Sequence, residues 1–218
     1  MATASPPDAD QLIAALDSPA LRELAARGRI QHYRKDVVIV HEGDHGDTLY
    51  VLLAGRVKVF ATGADEREIV FDIHGPGEYV GEMALDGGPR SASIMTLEPT
   101  TCTVVTRVTL KDHIAKHPEF AFELLAKVIR RARRATESAR DLALLDVYGR
   151  VRRLFDSLAV DRDGARLIPE KLTHQEIADR VGSSREMISR LLKDLSEGGY
   201  ISVAEKLITL RKPLPPNW

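Results

Sequence analysis

The stretch that decides the fold runs from residue 81 to residue 93 and reads Gly81-Glu82-Met83-Ala84-Leu85-Asp86-Gly87-Gly88-Pro89-Arg90-Ser91-Ala92-Ser93. Residues 82–86 contain no β-branched side chain and predict one helical turn whose free backbone N–H groups suit an anion. Gly87 and Gly88 then reverse the chain, and Pro89 restricts the backbone before Arg90. A guanidinium fork matches a phosphate better than an ammonium does, so this stretch predicts a phosphate-binding site.

Two further side chains extend the predicted site. Ser91 adds a hydroxyl, and Glu82, which would repel a phosphate, suits the hydroxyl groups of a sugar as a hydrogen-bond acceptor. A β-turn with an exposed Glu82–Arg90 salt bridge is the simpler interpretation of a bare Gly-Glu pair. The full run of thirteen residues favours the binding site.

The pattern Gly-Glu-Met-Ala-Leu followed by Pro-Arg-Ser-Ala resembles the phosphate-binding cassette of cyclic-nucleotide-binding domains. The resemblance implies that the cyclic phosphate and its ribose are bound by Gly81, Glu82, Met83, Arg90, Ser91 and Ala92.

Short strands separated by glycine turns are predicted from about Ile30 to Thr109, a pattern typical of a jelly-roll-like β-roll. The predicted strands are 37–40, 48–53, 56–60, 68–73, 91–98 and 102–108. Short helices are expected at 8–16, 19–27 and 110–116.

A metal-dependent enzyme of the cupin type is the alternative for a β-roll. His41 and His45 are separated by three residues instead of one, and the position seven before Gly55 is Thr48, so the cupin ligand set is incomplete. Cys102 is the only cysteine, which excludes an internal disulfide and a thiolate-bound iron–sulfur cluster. We therefore expect neither a metal nor a catalytic centre.

After Pro118 the apolar period changes to that of a coiled coil, which predicts one long helix ending near Asp146, a good N-cap for the next helix. The seam is Ala121, Leu125, Val128, Ala132, Ala135, Ala139 and Leu142. The charged residues expected off the seam, in solvent or at the flanks of a dimer, are Arg130, Arg131, Arg133, Arg134, Glu137 and Arg140. A parallel homodimer is favoured over packing of the helix on its own β-domain.

A helix-turn-helix is predicted at 172–195. Thr173 and Glu176 form a capping box, Gly182 permits the turn, and Ser183 is expected to cap the second helix. The expected buried faces are Ile177, Ala178, Val181, Ile188, Leu191, Leu192 and Leu195. Strands at 200–203 and 207–210 would form a wing.

The residues expected to face outward on the second helix, where a recognition helix touches base edges, are Ser184, Arg185, Glu186, Ser189 and Arg190. The two arginines suit guanine O6 and N7, and Glu186 can accept from cytosine N4. The alternative is an ordinary surface ion pair between Glu186 and Arg190, four residues apart.

The Ser-Arg-Glu-x-x-x-Arg run at 184–190 resembles the recognition helix of the cyclic-AMP receptor (catabolite activator) family, within the cyclic-AMP receptor/fumarate–nitrate regulator superfamily. The resemblance adds phosphate contacts from Thr173 and Gln175. It implies a cytoplasmic bacterial homodimer that is not an enzyme. Its effector would control recognition of a TGTGA-like palindrome in double-stranded promoter DNA, with RNA polymerase as a further partner. A signal-binding module whose C-terminal domain docks proteins is the alternative.

The sequence predicts the identity of the effector less clearly than it predicts the fold. In the cyclic-AMP-responsive members a Thr-Ser pair on the central helix contacts the adenine, and the aligned pair here is Ala135-Thr136. Thr136 is therefore included among the expected ligand residues. Ala135 lacks the hydroxyl that the first residue of the Thr-Ser pair provides. Cyclic AMP is the expected effector, with cyclic GMP, cyclic di-GMP and constitutive activity as alternatives.

Charge and composition agree with this organisation. Of 218 residues, 44% are hydrophobic and 29% charged, and no apolar run or N-terminal leader predicts a membrane segment or secretion. Residues 1–116 carry 12 basic against 17 acidic side chains, whereas residues 148–218 carry 13 against 10. We expect a β-roll domain at 1–116, a dimerisation helix at 117–146 and a winged helix-turn-helix at 147–218.

Overall fold

The computed structural model describes residues 8–162 and 165–216. The chain divides into two compact units. The described residues up to Ala61 together with Phe71–Arg131 form the first, and Thr62–Val70 together with the described residues from Ala132 onward form the second. Within the described ranges, no helix is both long enough and apolar enough to cross a membrane.

Two helices open the described chain, α1 (Ala9–Ala14) and α2 (Pro19–Ala26). Helix α2 begins at its predicted residue, and α1 begins one residue after its predicted start at Asp8. Asp8 and Ser18 cap the two helices, since their side chains accept hydrogen bonds from first-turn N–H groups. Eight strands follow: β1 (Arg29–Tyr33), β2 (Val38–Val40), β3 (Thr48–Ala54), β4 (Val57–Thr62), β5 (Glu68–His74), β6 (Tyr79–Val80), β7 (Ser93–Thr96) and β8 (Thr100–Thr106).

These strands form two four-stranded sheets, in the orders β1-β8-β3-β6 and β2-β7-β4-β5. The predicted β-roll is therefore confirmed. Strands β1 and β6 were not among the predicted strands. The strand predicted at 91–98 is shorter, since only Ser93–Thr96 pairs with β4 and β2.

The helix α3 (Arg107–Lys116) begins three residues before its predicted start at Leu110. The cause is Thr106, whose hydroxyl accepts a hydrogen bond from the Thr109 N–H and so caps the helix. The strand predicted to continue to 108 accordingly ends at Thr106.

The long helix is α4 (Glu119–Leu144), and α5 (Val147–Leu158) follows it. Asp146 separates them as predicted, since its carboxylate accepts from the Gly149 N–H at 2.7 Å. Large apolar side chains on α4 are exposed in the single chain, including Phe122 at 75% and Leu125 at 52%. An exposed apolar stripe of this kind favours an interface with another surface.

The C-terminal unit contains α6 (His174–Val181) and α7 (Arg185–Glu197), the two helices of the predicted helix-turn-helix. All seven predicted core residues of these helices are buried, with Ile177, Ile188 and Leu195 fully inaccessible. The described strands of this unit are β9 (Val160–Arg162), β10 (Ala165–Ile168), β11 (Ile201–Ala204) and β12 (Leu207–Leu210), in the sheet order β11-β12-β10-β9. The wing is thus confirmed, and β9 and β10 enlarge it beyond the prediction.

Candidate nucleotide and nucleic-acid sites

The predicted phosphate-binding stretch folds as a 3-10 helix, Glu82–Asp86, between two left-handed glycines. Gly81 has φ +93°, and a Cβ there would lie 2.8 Å from both the Arg90 Nη1 and the Thr48 carbonyl oxygen. Only glycine satisfies both the backbone angle and this close approach. Gly87, with φ +100°, ends the short helix. The predicted helical turn and glycine reversal are confirmed.

Arg90 is buried, with 6% of its surface exposed. Its Nη1 donates to the carbonyl oxygens of Thr48 at 3.0 Å and Gly81 at 2.9 Å, and its Nη2 donates to the Thr48 hydroxyl at 2.9 Å. A guanidinium has five N–H donors, so two take no part in these three bonds. The fork is held in one orientation and retains donors for an anion.

Glu82 is also buried and pairs with Arg131 of α4, not with Arg90. The Glu82 Oε1 lies 2.5 Å from the Arg131 Nη1. The surface Glu82–Arg90 pair considered as an alternative is therefore absent among the described residues. Because a carboxylate has two oxygens and about four lone-pair positions, Glu82 can hold Arg131 and still accept from a sugar hydroxyl.

Arg131 was expected in solvent or at the flank of a dimer, and that expectation is wrong. Its side chain is 17% exposed, its Nη2 donates to the Tyr79 carbonyl oxygen at 2.5 Å, and its guanidinium lies over the Tyr79 ring. Lys127, one turn earlier, places its ammonium 4.3 Å from the centre of the same ring. Burial raises the pKa of Tyr79 far above its usual value and lowers the pKa of Lys127.

The remaining predicted ligand residues differ in exposure. Met83 is 56% exposed and Ser91 is exposed, whereas Ala92 is buried. Thr136 lies on α4 with an exposed side chain, and its hydroxyl donates to the Ala132 carbonyl oxygen at 3.0 Å. Ala135 beside it is exposed as well. Gly81, Glu82 and Arg90 are thus brought together, and Thr136 belongs to the other unit of the chain.

The lone cysteine has no part in this site. Cys102 is fully buried, and burial raises its thiol pKa to about 12. A thiol with such a pKa stays protonated at neutral pH and is a poor nucleophile and ligand.

In the helix-turn-helix, Ser184 and not Ser183 caps α7, which corrects the prediction. The Ser184 hydroxyl accepts from the Met187 N–H at 3.2 Å. Ser183 instead belongs to the turn, where its N–H donates to the Ala178 carbonyl oxygen while Gly182 takes a φ of +63°. The capping box of Thr173 and Glu176 is confirmed in both of its hydrogen bonds.

Arg185, Glu186 and Arg190 are exposed on α7. Among the described residues no ion pair joins Glu186 to Arg190, so the surface-pair alternative is absent here also. Neither arginine donates a hydrogen bond to another side chain or carbonyl that the structure describes. Their guanidinium groups are available to an external partner.

The other predicted DNA residues already have contacts within the domain. Ser189 is half-buried and its hydroxyl lies 2.6 Å from the Nδ1 of His174. Gln175 is exposed and donates to Asp179 at 2.7 Å. Thr173 is half-buried in its capping box. Sequence reasoning missed His174, although its position directly after the helix N-cap marks it as part of the first turn of α6.

Two family models match different parts of the chain. The cyclic nucleotide-binding domain model matches residues 30–117, and the Crp-like helix-turn-helix domain model matches residues 149–213. The CRP-like cAMP-activated global transcriptional regulator of Mycobacterium tuberculosis (strain ATCC 25618 / H37Rv) is 35% identical over 174 residues, which cover 78% of each chain. The chain belongs to the cyclic-AMP receptor/fumarate–nitrate regulator superfamily of bacterial transcription regulators.

Two other members of this superfamily match a larger share of the chain, one in sequence and one in structure. The cAMP-activated global transcriptional regulator CRP of Pasteurella multocida is 30% identical over 200 residues, covering 88% of this chain and 94% of its own. The structure of the c-di-GMP responsive global regulator CLP of Xanthomonas campestris superposes with a TM-score of 0.80 at 26% identity, covering 90% of this chain and 100% of that one. The chain is therefore a CRP-like, cyclic-nucleotide-binding, DNA-binding transcription regulator.

Proposed function

We propose that this chain is a homodimeric regulator in which cyclic AMP, bound in the β-roll, controls recognition of a TGTGA-like palindrome. The observation that carries the proposal is the buried Arg90 guanidinium, fixed by three hydrogen bonds and retaining two N–H donors beside the glycine-bounded 3-10 helix. A fixed cationic fork with free donors suits a phosphodiester, because its orientation is established before the ligand arrives.

Residues 81–92, called the cradle below, would bind the nucleotide as follows. Arg90 and Ser91 bind the cyclic phosphate, Gly81, Met83 and Ala92 form the surrounding backbone, and the free oxygen of Glu82 accepts from the ribose 2′-hydroxyl. The ion pair with Arg131 reduces the electrostatic cost of placing the Glu82 carboxylate next to a phosphate.

The hydrogen bond that the Thr136 hydroxyl makes within α4 favours cyclic AMP over cyclic GMP. Its hydroxyl proton is already donated to the Ala132 carbonyl oxygen, so the oxygen acts toward a base as an acceptor. The adenine N6 amine is a donor and matches that acceptor, whereas guanine O6 at the same edge does not. Two of the similar proteins are named cAMP-activated, while the Xanthomonas regulator is c-di-GMP responsive, so cyclic di-GMP is the competing effector.

The exposed stripe of α4 supports a homodimer. Phe122, Leu125 and Ile129 are 75%, 52% and 42% exposed and follow helical spacing along one face. Pairing this face with a second copy removes the apolar surface from water. Farther along, the small side chains of Ala132, Ala135 and Ala139 allow close approach of the two helices.

The proposed division of labour follows three segments, with effector binding in 1–116, dimerisation in 117–146 and DNA binding in 147–218. Residues 1–7, 163–164 and 217–218 of these segments lie outside the described residues. In the dimer two α7 helices enter successive major grooves, roughly 34 Å apart. Arg185, Glu186 and Arg190 contact base edges there, and Ser184 and Ser189 lie beside them. Thr173 and Gln175 contact phosphates, and RNA polymerase is the partner that reads the assembled complex.

Fluorescence anisotropy tests the proposal. A labelled duplex with a TGTGA palindrome and a scrambled duplex are titrated with the full chain, without nucleotide and with cyclic AMP, cyclic GMP or cyclic di-GMP. We expect tight binding of the palindrome with cyclic AMP and a steep fall of affinity with salt, since phosphate contacts release counterions.

Each part of the proposal has its own contrary outcome. Equal affinity for the two duplexes, or no salt dependence, would reject sequence-specific DNA recognition. A response to cyclic di-GMP alone would replace the effector, and identical binding under every condition would make the regulator constitutive. Analytical ultracentrifugation of the same sample, showing a monomer at micromolar concentration, would reject the dimer.

A further inference from the structure

Three side chains outside the nucleotide and DNA sites converge on one point of the first unit. His113 lies in the last turn of α3, His117 is the residue that ends this helix, and Glu23 comes from α2. One ligand atom from each side chain lies within 4.8 Å of the other two. His117 directly follows α3 and lies four residues after His113, a sequence spacing that metal sites use for two histidines.

His113 is the unusual member of this cluster. The residue is 1% exposed, and its Nε2 has no hydrogen-bond partner among the described residues. A buried ring nitrogen without a partner is costly, because burial removes the water that would bind it. A metal ion bound at Nε2 would supply the missing partner.

His117 and Glu23 are already in contact. The His117 Nε2 lies 2.8 Å from the Glu23 Oε2, and its Nδ1 lies 3.6 Å from the Glu119 Oε1 at the start of α4. Glu119 thus lies next to the His117 nitrogen that does not face Glu23. A carboxylate in that position orients a metal-binding imidazole and fixes its tautomer. An ion pair between His117 and Glu23 alone would explain their contact but not the unpartnered nitrogen of His113.

We propose that His113, His117 and Glu23 form a binding site for a divalent transition-metal ion, with zinc as the best match. Two imidazole nitrogens and one carboxylate oxygen are ligands that zinc prefers, with water in the fourth position. Tetrahedral zinc with bonds of about 2.0–2.2 Å separates its ligand atoms by about 3.4 Å. The His117 Nε2 and the Glu23 Oε2, now 2.8 Å apart, would therefore have to separate slightly, whereas the widest separation, at most 4.8 Å, would have to shorten. The Glu23 side chain is 58% exposed and has room for this adjustment.

The bound ion would join α2 to the junction at which the chain leaves α3 and enters α4. The sequence expectation of a metal-free protein would then be wrong.

Zinc titration of the full, metal-stripped chain tests the site. Competition with a chromogenic chelator should give one zinc ion per chain. The variants His117→Ala and Glu23→Gln act at partly exposed positions, which makes them safer for folding than substitution of His113, and circular dichroism verifies the fold. Loss of a residue that only hydrogen-bonds to a metal ligand typically weakens metal binding by about 10–100-fold. Each of these variants removes a direct ligand and should weaken zinc binding by more than that.

His41 and His45 provide a matched control, because they have the same four-residue spacing and are both exposed. The double variant His41→Ala/His45→Ala should bind zinc as the unaltered chain does. The proposal is overturned if this control loses the zinc, if His117→Ala retains it, or if the unaltered chain binds none.

A second readout reports the ligands directly. Cobalt(II) in a tetrahedral site of the unaltered chain should give intense visible bands, and these should disappear in His117→Ala. Imidazole ¹⁵N spectra should show zinc-dependent shifts for His113 and His117 only. Shifts at His41 and His45 instead, or weak octahedral cobalt bands, would reject the site.

Discussion

Arg90 in the cradle is proposed to bind a cyclic phosphate and Arg190 on α7 to bind base edges, but the surroundings of the two arginines differ. Arg90 is 6% exposed and donates to two carbonyl oxygens and a hydroxyl, whereas Arg190 is exposed and has no such bond among the described residues. The cradle is organised before its ligand binds, so its residues also stabilise the fold. Arg185 and Arg190 on α7 make no such hydrogen bond among the described residues, so we expect their substitution to affect partner binding and not folding.

The largest expected effect is that of Arg90→Leu. It removes the charge-assisted hydrogen bonds to the phosphate, at about 1.5–3 kcal/mol each, and should weaken cyclic AMP binding by at least about 100-fold. It also leaves the carbonyl oxygens of Thr48 and Gly81 without a donor, so the melting temperature should fall. Isothermal titration and thermal unfolding measure the two effects.

Arg90→Lys is the companion variant, since it keeps the charge but not the fork. It should recover part of the nucleotide affinity and little of the selectivity for a cyclic phosphate. If Arg90→Leu still responded fully to cyclic AMP, the cradle would not be the effector site.

Arg131→Gln tests whether the cradle is stabilised by its own ion pair. It leaves the buried Glu82 carboxylate without a charged partner, and breaking a buried pair costs about 3 kcal/mol. Urea denaturation should show this loss. The exposed neighbour Arg130→Gln is the control and should change stability by less than about 0.5 kcal/mol. Equal losses for both would show that the pair contributes nothing.

Local chemistry explains which elements could be predicted. Asp146 and the Thr173–Glu176 box carry their own hydrogen-bonding groups within three residues of the N–H groups they bind, so sequence spacing is enough. The apolar faces of α6 and α7 follow helical periodicity and are buried as expected. The local fold of the proposed cradle was predictable because its glycines and arginine lie within ten residues of one another.

Interactions between distant segments could not be read from spacing. Arg131 pairs with Glu82 across 49 positions, and a helical pattern alone places such an arginine in solvent. Strand β9 is exposed along its whole length and therefore has no apolar alternation, while β6 has two residues only. The shift of the cap from Ser183 to Ser184 depends on the hydrogen bond that Ser183 makes with Ala178 in the turn.

On the recognition helix we expect effects on DNA without effects on folding. Arg190→Ala and Arg185→Ala should each reduce discrimination between the palindrome and a mismatched duplex by about 1–3 kcal/mol. Stability and cyclic AMP binding should be unchanged. Lys193→Ala, on the same helix but paired with Glu197, should leave base discrimination intact. Loss of stability in the arginine variants would contradict the contrast with Arg90.

The pH dependence of stability extends this comparison to two carboxylates, Glu78 in the first unit and Glu186 on α7. Hydrogen bonds from His74 and from the Gly75 N–H lower the pKa of Glu78 to about 2, against an ordinary value of 4.5, although burial acts the other way. Its stabilisation is therefore present above about pH 4.5 and is lost as pH falls toward 2. Glu78→Gln should destabilise the protein by about 1 kcal/mol at pH 7 and much less near pH 2. Glu186→Gln on α7 should change stability at neither pH.

Ala135→Ser should have the smallest effect and tests the effector itself. It adds a hydroxyl next to Thr136, at the position where the family resemblance implies a second residue that contacts the base. One added hydrogen bond is worth about 1 kcal/mol, or roughly a fivefold gain in cyclic AMP affinity, because Thr136 can then share the adenine amine with it. Ala139→Ser adds the same hydroxyl one turn later on the same exposed face and should leave nucleotide affinity unchanged. A gain for cyclic di-GMP but not for cyclic AMP in Ala135→Ser would mean that this helix position selects a different base, while the phosphate chemistry of Arg90 would stand.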